Sequence, residues 1–377
     1  MAETRSDIRN RRIVLALATS TGGVGQHVTS LAEGLLARGA HVAVVGPQAT
    51  EDLFHFTEKG CLFRAVEISS GPDPVTDTRA VGRLRHLLVG SDVVHAHGLR
   101  AGMVTTVAVR SMPAAKQPAL VCTWHNILMA SGAKERLYEA MERVVARGPD
   151  ITLGASEDLV ERAHRLGAGD ARMAPVAAPP MDPPTRTREE VRAELGVGDQ
   201  PLLLSVGRLH PQKDFPTLIT ASLAWQERDP VPLLVIAGSG PSEEELQAMI
   251  DETGAPVRLL GRRSDVPDLL QAADLVVLSS TWEARALVAQ EACRSGRPLV
   301  STAVGGLPGL LGGGAAVLVP DGDPEALAQA VTRLLDDPEE AARLARRGKE
   351  ISESWPDEED TVDQVAAVYA ELLGPAP

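Results

Sequence analysis

Aromatic residues are scarce in this chain, ten Phe, Trp and Tyr in 377 positions, or 3%. Cores must then be built from Leu, Val, Ile and Ala, and there is little material for the stacking platforms of single-stranded nucleic acid binders. Cysteine is nearly absent too. Cys61, Cys122 and Cys293 are odd in number, far apart and without a CxxC, which excludes a disulfide framework and a zinc knuckle and reads as buried thiols. Positive charge is outweighed, 37 Lys and Arg against 51 Asp and Glu, so the net charge of -14 opposes general attraction to nucleic acid or anionic lipid. Nucleic acid is not expected as a partner, and any anion site must be local. No run approaches 18 uncharged apolar residues, and the polar start MAETRSDIRNRR has no apolar segment behind it of signal-peptide type. The expectation is a cytoplasmic, non-spanning protein whose residues 1–11 are disordered.

What is present is alternation. From Ile13 short Val, Ile, Leu and Ala runs alternate with amphipathic stretches, the pattern of an α/β protein with a parallel sheet covered on both faces. Strands are predicted at IVLALA (from Ile13), HVAVVG, DVVHAH (from Asp92), ALVCTWH (from Ala119) and DITLGAS (from Asp150). Pro175, Pro179, Pro180, Pro183 and Pro184 then crowd one short segment, which reads as a linker. Alternation resumes with PLLLSVGR, PLLVIAGSG, VRLLGR, DLVVLSS, RPLVST and AAVLVP. Two doubly wound Rossmann-like domains follow, 1–182 and 183–355, expected to face each other across a cleft, with a helix in 356–377 that could return to the N-terminal domain.

The chemistry concentrates in the second half. In SSTWEARALVAQEA a strand ends and a helix begins near Ala286, which puts Glu283 in the loop and Glu291 in the helix. A carboxylate at a strand end suits sugar hydroxyls, and free N–H groups at Ala286 and Leu287 suit phosphate oxygens. Taken alone, the two glutamates are as well explained by the acid preference of a helix start and by a solvated face. In SVGRLHPQKDF, Gly207 permits a tight strand exit, while Arg208 and Lys213 supply two cations of the kind that neutralise a diphosphate.

In order, GRLHPQKDF, AGSGP, LLGRRSDVPDLLQAADLVVLSSTWEARALVAQEA and GRPLVSTAVGGLPGLL resemble the donor half of the family 4 glycosyltransferases of GT-B fold, over nearly the whole C-terminal domain. The resemblance implies that Arg208 and Lys213 bind the donor diphosphate. The E-x7-E motif falls on Glu283, which would face the donor sugar, and on Glu291, which would take the ribose hydroxyls. The backbone near Gly261 and Arg262 would frame the base. The motif's usual glycine-rich interior is replaced by Ala284, Arg285 and Ala286, a departure that alters the shape expected of the sugar pocket.

The N-terminal half is similar to the family's acceptor domain, more loosely. Gly22, Gly23, Val24 and Gly25 are predicted to form a loop between strand and helix, a place where glycine lets a ligand approach the backbone; family members place it against donor phosphates and acceptor. His125 matches a histidine that reaches the transferred sugar, and His97 in HAHG is expected to shape the acceptor side.

Three further features of the sequence have simple structural readings. His95 and His97 share a strand face and could begin a zinc site, but no third ligand of suitable spacing is evident, and cleft residues are the simpler reading. Asp321-Gly322-Asp323 spells the DxD of metal-dependent transferases, yet Asp323 before Pro324 reads as a helix N-cap, so neither metal nor cofactor is expected. RAVGRLRHLL (from Arg79) is a basic amphipathic stretch that could touch a membrane peripherally, although an ordinary surface helix explains it more simply.

The implied function is transfer of a hexosyl group from a nucleoside diphosphate sugar, the sole co-substrate, to an acceptor hydroxyl on a small molecule, glycan or lipid-linked carrier, with retention and without metal. The alternatives are a GT-B sugar-nucleotide epimerase or hydrolase and an inactive sugar-nucleotide binder. Acceptor choice is assigned to the loops Pro72–Asp77 and Leu128–Lys134. The oligomeric state is not legible.

Overall fold

In the computed structural model the described residues are 8–20, 22–127 and 132–374. They divide into two compact units, one of Met1–Ala177 with Pro356–Pro377, the other Ala178–Trp355. The division falls inside the proline-rich segment, ahead of the 182/183 boundary drawn from the sequence.

The first unit runs β1 (Arg12–Leu17), α1 (Gly23–Ala37), β2 (His41–Gly46), α2 (Gln48–Phe54), β3 (Leu62–Ala65), α3 (Pro74–Leu87), β4 (Val93–His97), α4 (Leu99–Arg110), β5 (Ala119–Trp124), α5 (Ala133–Arg147), β6 (Ile151–Gly154), α6 (Glu157–Leu166) and β7 (Ala171–Met173). The second runs α7 (Arg188–Glu194), β8 (Leu202–Val206), α8 (Phe215–Ser222), β9 (Leu233–Ala237), α9 (Glu243–Thr253), β10 (Val257–Leu259), α10 (Val266–Ala272), β11 (Leu275–Leu278), α11 (Leu287–Arg294), β12 (Leu299–Thr302), α12 (Leu307–Leu311), β13 (Val317–Val319), α13 (Pro324–Asp336) and α14 (Pro338–Ser352). A last helix, α15 (Glu358–Leu373), belongs to the first unit.

Each unit holds one parallel sheet, in the orders β3-β2-β1-β4-β5-β6-β7 and β10-β9-β8-β11-β12-β13. In both, chain direction across the sheet reverses beside the first strand, so a topological switch point lies between β1 and β4 and another between β8 and β11. Open α/β sheets bind ligands at the carboxyl ends of such pairs.

The buried runs are explained by both faces being covered. In the second sheet Leu202, Leu204 and Val235 enter one apolar cluster, while the intervening Leu203, Leu234 and Ile236 enter the other. In the first, Ile13, Leu15 and Leu17 pack with Leu31 and Leu35 of α1 and with Val362, Val365 and Tyr369 of α15. A Cβ on Gly34 would lie 2.5 Å from Val362, so that glycine lets α15 close on α1.

Several expectations are corrected. Ile8 is 1% exposed in the first core, so the disorder expected for 1–11 does not hold at 8; residues 1–7 lie outside the described residues. Pro72–Asp77 is no loop: Asp73 caps α3, accepting from the N–H groups of Val75 and Thr76, and Asp77 pairs with the buried Arg100 at 2.6 Å. Within Leu128–Lys134, residues 128–131 lie outside the described residues. The basic stretch from Arg79 lies in α3 and buries Ala80, Leu84 and Leu88, which turns its apolar side to the core. No helix among the described residues is long and apolar enough to cross a membrane.

Candidate active site

At the second switch point, three strand exits are laced together. Gly207 N–H donates to the Ala237 carbonyl at 3.0 Å, Leu209 N–H to Ser239 at 3.0 Å, and Gly238 N–H to Gly261 at 2.8 Å. A Cβ on Gly238 would sit 1.8 Å from the Gly207 carbonyl, and one on Gly240 2.3 Å from that of Leu209. The two glycines of AGSGP therefore hold the turn that presents Arg208. Arg208 is exposed, and its guanidinium has no partner among the described residues.

Lys213 ends the short 3-10 turn Pro211–Lys213, and its aliphatic stem lies across Gly207. The loop after β11 is tied to this turn: Ser279 Oγ donates to the Lys213 carbonyl at 2.8 Å, Thr281 N–H to Gln212 at 2.9 Å, and Gln212 Nε2 to the Trp282 carbonyl at 2.8 Å. The result is a contact that spacing alone did not announce. Lys213 Nζ donates to Glu283 Oε1, which also accepts from Ser280 Oγ at 2.8 Å. Glu283 is 8% exposed, and such a buried pair persists only where hydrogen bonds compensate for lost hydration. Its carbonyl accepts from Gly306 N–H at 2.8 Å and would lie 2.1 Å from a Cβ on Gly305, whose φ is +53°. Only glycine fits there.

Ala286 is the N-cap of α11 and Leu287 its first residue, and no side chain caps their N–H groups. The helix start is left available to an acceptor. Glu291, one turn in, is partly buried with no side-chain hydrogen bond or ion pair among the described residues. Burial raises its pKa, opposed by Arg294. Arg285, in the altered motif interior, reaches Trp355 at 5.5 Å over the ring, leaving Nε and Nη2 unpartnered; burial, then Arg294, lowers it to about 10. Gly261 has φ +67° and Arg262 is exposed beside it. Asp323 Oδ1 accepts from Ala326 N–H at 2.9 Å, as an N-cap does.

In the first unit the glycine loop is shorter than expected. Gly22 is the N-cap, and Gly23 and Gly25 belong to the first turn of α1. Gly25 is explained by packing, since a Cβ would lie 2.1 Å from the Phe54 ring, whereas nothing lies within 4 Å of one on Gly22. His97 ends β4 and His125 follows β5, with His97 Nδ1 and His125 Nε2 at 3.2 Å. His27 of α1, which sequence reasoning passed over, joins them with ring centroids 5.5 Å from His97 and 5.3 Å from His125. Its place two residues after Gly25 of the glycine turn was the signal available. His95 is separately engaged by Tyr369 Oη and Thr123 Oγ1, both at 2.6 Å.

A wide pocket lined by Arg188, Arg192, Asp274 and Leu334 lies at the amino ends of β8 and β11. Its two arginines bond Asp274 and backbone carbonyls, so their charge is already engaged.

Comparison with known proteins identifies the family. Residues 187–351 match the glycosyl transferases group 1 model and residues 22–179 the glycosyl transferase 4-like domain, together most of the chain. It belongs to the family 4 glycosyltransferases of GT-B fold. The chain is 33% identical to an alpha-D-kanosaminyltransferase of Streptomyces kanamyceticus over 217 residues, 56% of this chain and 55% of that protein. It is 29% identical to a glycogen synthase of Mycobacterium tuberculosis over 384 residues, 92% and 91% of the two chains. Among solved structures, Anabaena HepE in complex with UDP and glucose superposes with a TM-score of 0.79 at 20% identity, covering 95% of this chain and 99% of that one. A second GT-B relative, WaaG of lipopolysaccharide biosynthesis, gives 0.72 at 18%, covering 94% and 99%.

Proposed function

We propose that this glycosyltransferase moves a hexosyl group from a nucleoside diphosphate sugar to an acceptor hydroxyl, with retention of configuration and without a metal ion. The observation that carries the reading is the charge arrangement at one switch point: unpartnered Arg208, Lys213 beside Glu283, unpaired Glu291 and an uncapped helix start. HepE, of the same fold, was crystallised with UDP and glucose.

Bond breaking puts negative charge on the departing diphosphate. Arg208 offers a planar fork and Lys213 a mobile point charge where that charge develops. Before the donor arrives, Lys213 and Glu283 neutralise one another. Donor binding divides them, Lys213 turning to the diphosphate and Glu283 to the sugar hydroxyls, while Glu291 accepts from the ribose and Gly261 and Arg262 frame the base. Leu287 N–H, at the positive end of α11, adds a dipole. His125 and the turn Gly22–Gly25 are assigned to the sugar and acceptor side with His97, on the family resemblance. Metal independence is supported by the cations present and by the engagement of Asp323 as a cap. Cytoplasmic location is part of the same reading.

A thermal-shift screen against UDP-, GDP-, ADP- and TDP-sugars names the donor, because a ligand that binds only the folded state stabilises it by mass action. Turnover of that donor with acceptor, unchanged in EDTA, is the expected outcome. Activity lost in EDTA and restored by Mg²⁺ contradicts the metal-free mechanism. An isomerised or hydrolysed nucleotide sugar, formed without acceptor, contradicts transfer.

A further inference from the structure

Two buried polar residues of the first unit, His95 and Tyr369, have no task in the transfer reading. They lie 274 positions apart in sequence, yet Tyr369 Oη and His95 Nδ1 are separated by 2.6 Å, and neither residue is exposed. The contact is placed by α15. Val362, Val365 and Tyr369 enter the first core with Leu15 and Leu17, Arg172 of β7 bonds Glu371 at 2.6 Å, and Gln364 Nε2 donates to the Met173 carbonyl at 2.6 Å. The helix is therefore held in register on the sheet at several points, and Tyr369 meets β4 at a fixed place.

His95 has no freedom left. Its Nε2 stands 2.6 Å from Thr123 Oγ1, so hydroxyls occupy both ring nitrogens. Burial keeps the ring uncharged, its pKa lowered to about 3, and one nitrogen then donates while the other accepts. A half-turn of the ring would exchange both nitrogens for carbons and strand two buried hydroxyls, which protein interiors avoid. An apolar pair would fill the same volume without burying any polar atom, so the bonds are better explained by the orientation they impose.

His97, two residues further along the same strand, lacks such anchors. Its ring stacks on His95 with centroids 4.1 Å apart, its Nδ1 lies 3.2 Å from His125 Nε2, and its buried Nε2 has no hydrogen-bond partner among the described residues. Packing on the immobile His95 thus fixes the plane of His97, and His97 supplies the hydrogen bond to the His125 ring. His27 closes the group edge-on, 5.5 Å from His97 and 5.3 Å from His125 between centroids. A continuous series of contacts runs from the core face of α15 to the partly exposed residue that follows β5.

We propose that Tyr369 and His95 are positioning residues for sugar transfer: α15 holds His95, His95 sets the ring of His97, and His97 holds His125 toward the transferred sugar. The inference rests on the reading that His125 meets that sugar. It adds that the last helix of the chain acts on the reaction through Tyr369 without touching the substrate.

The experiment compares the full chain with Tyr369→Phe, which removes one oxygen and keeps the ring in the core, and with Thr123→Val, which removes the other hydroxyl. Histidine side-chain ¹⁵N spectra of the ligand-free proteins are expected to shift at His95, His97 and His125 and to stay unchanged at His210 in the second unit. Transfer is then measured with the sugar nucleotide that the thermal-shift screen selects and the acceptor that turns it over. In each variant kcat is expected to fall about tenfold, as a displacement of less than about 1 Å at a reacting group can cause, with donor KM unchanged. His125→Ala is the reference for the reading itself and is expected to impair transfer more than either variant. Normal transfer by His125→Ala removes the sugar-side reading and the proposal with it. Impaired His125→Ala beside wild-type kcat in both Tyr369→Phe and Thr123→Val, or unmoved His97 and His125 signals, leaves that reading standing and overturns the positioning role.

Discussion

The two units share a sheet order through six strands, yet their switch points carry opposite chemistry. Between β8 and β11 stand Arg208, Lys213, Glu283 and Glu291, charges held by glycine-mediated contacts between backbones. Between β1 and β4 stand His27, His95, His97 and His125, imidazoles that burial keeps neutral. The same topology thus offers one site for a charged leaving group and another for neutral ligands or lone-pair acceptors. Function lies in what is grafted at the strand ends, not in the fold.

The largest effect should come from breaking the charged site. Lys213→Ala or Arg208→Ala is expected to lower turnover by about 10²–10³-fold or more, the scale of losing a group aimed at developing charge. Steady-state kinetics with the donor found in the thermal screen measure it, and near-normal rates for both would remove the diphosphate assignment. Glu291→Gln acts on binding more than on chemistry. Donor KM should rise about tenfold while kcat changes little, as expected when a ground-state hydrogen bond is lost. A kcat effect with unchanged KM would move Glu291 into the reacting centre.

Acid separates the units further. His27 titrates near 4 and His95 near 3 in the folded chain, against about 6.5 when unfolded, because burial opposes their charge. Below about pH 6.5 the unfolded state therefore binds more protons, and stability falls as pH is lowered toward 4, by up to about 1.4 kcal/mol per pH unit per group. The second unit has one histidine lowered in this way, His210, by burial and then Arg208. Its paired carboxylates behave otherwise: Arg186 holds Asp268 at about 2, and Arg263 lowers Asp265 and Glu194. Their contribution is complete above about pH 4 and fades only as pH falls below it. Hydrogen exchange between pH 6.5 and 4.5 should show β1, β4 and β5 losing protection before β8, β9 and β11. Simultaneous loss would contradict the contrast.

The smallest effect concerns the DxD look-alike. Asp323→Ala should cost about 1 kcal/mol of stability through the lost cap and leave kcat intact. A collapse of activity without loss of stability would return Asp323 to catalysis.

Much of the fold could be read from the chain, and the exceptions have a physical cause. The strands named in advance are runs buried on both faces, such as VVHAH with every residue buried. β3 and β7 were missed because they are sheet edges, short and half-exposed, so LFRA and ARM show no apolar run. The turn through Gly22–Gly25 read as loop because glycine disfavours helix interiors, yet Gly25 is required where Phe54 crosses α1. At the charged site the family resemblance pointed to Arg208, Lys213, Glu283 and Glu291, but not to the Lys213–Glu283 pair or the need for Gly238, Gly240 and Gly305. Those depend on backbones 20 to 30 residues or more apart meeting. The histidine cluster was half legible for the same reason: His95 and His97 are neighbours in sequence, whereas His27 and His125 arrive only through strand pairing.

The most direct test is hydrogen exchange of the intact chain with and without the nucleoside diphosphate sugar, in EDTA. Protection is expected over residues 207–213 and 280–291, with residues 321–323 unchanged. Protection at Asp321–Asp323 that appears only with Mg²⁺, and none at Arg208–Lys213, would contradict a donor site built from the cations and glutamates of the second switch point.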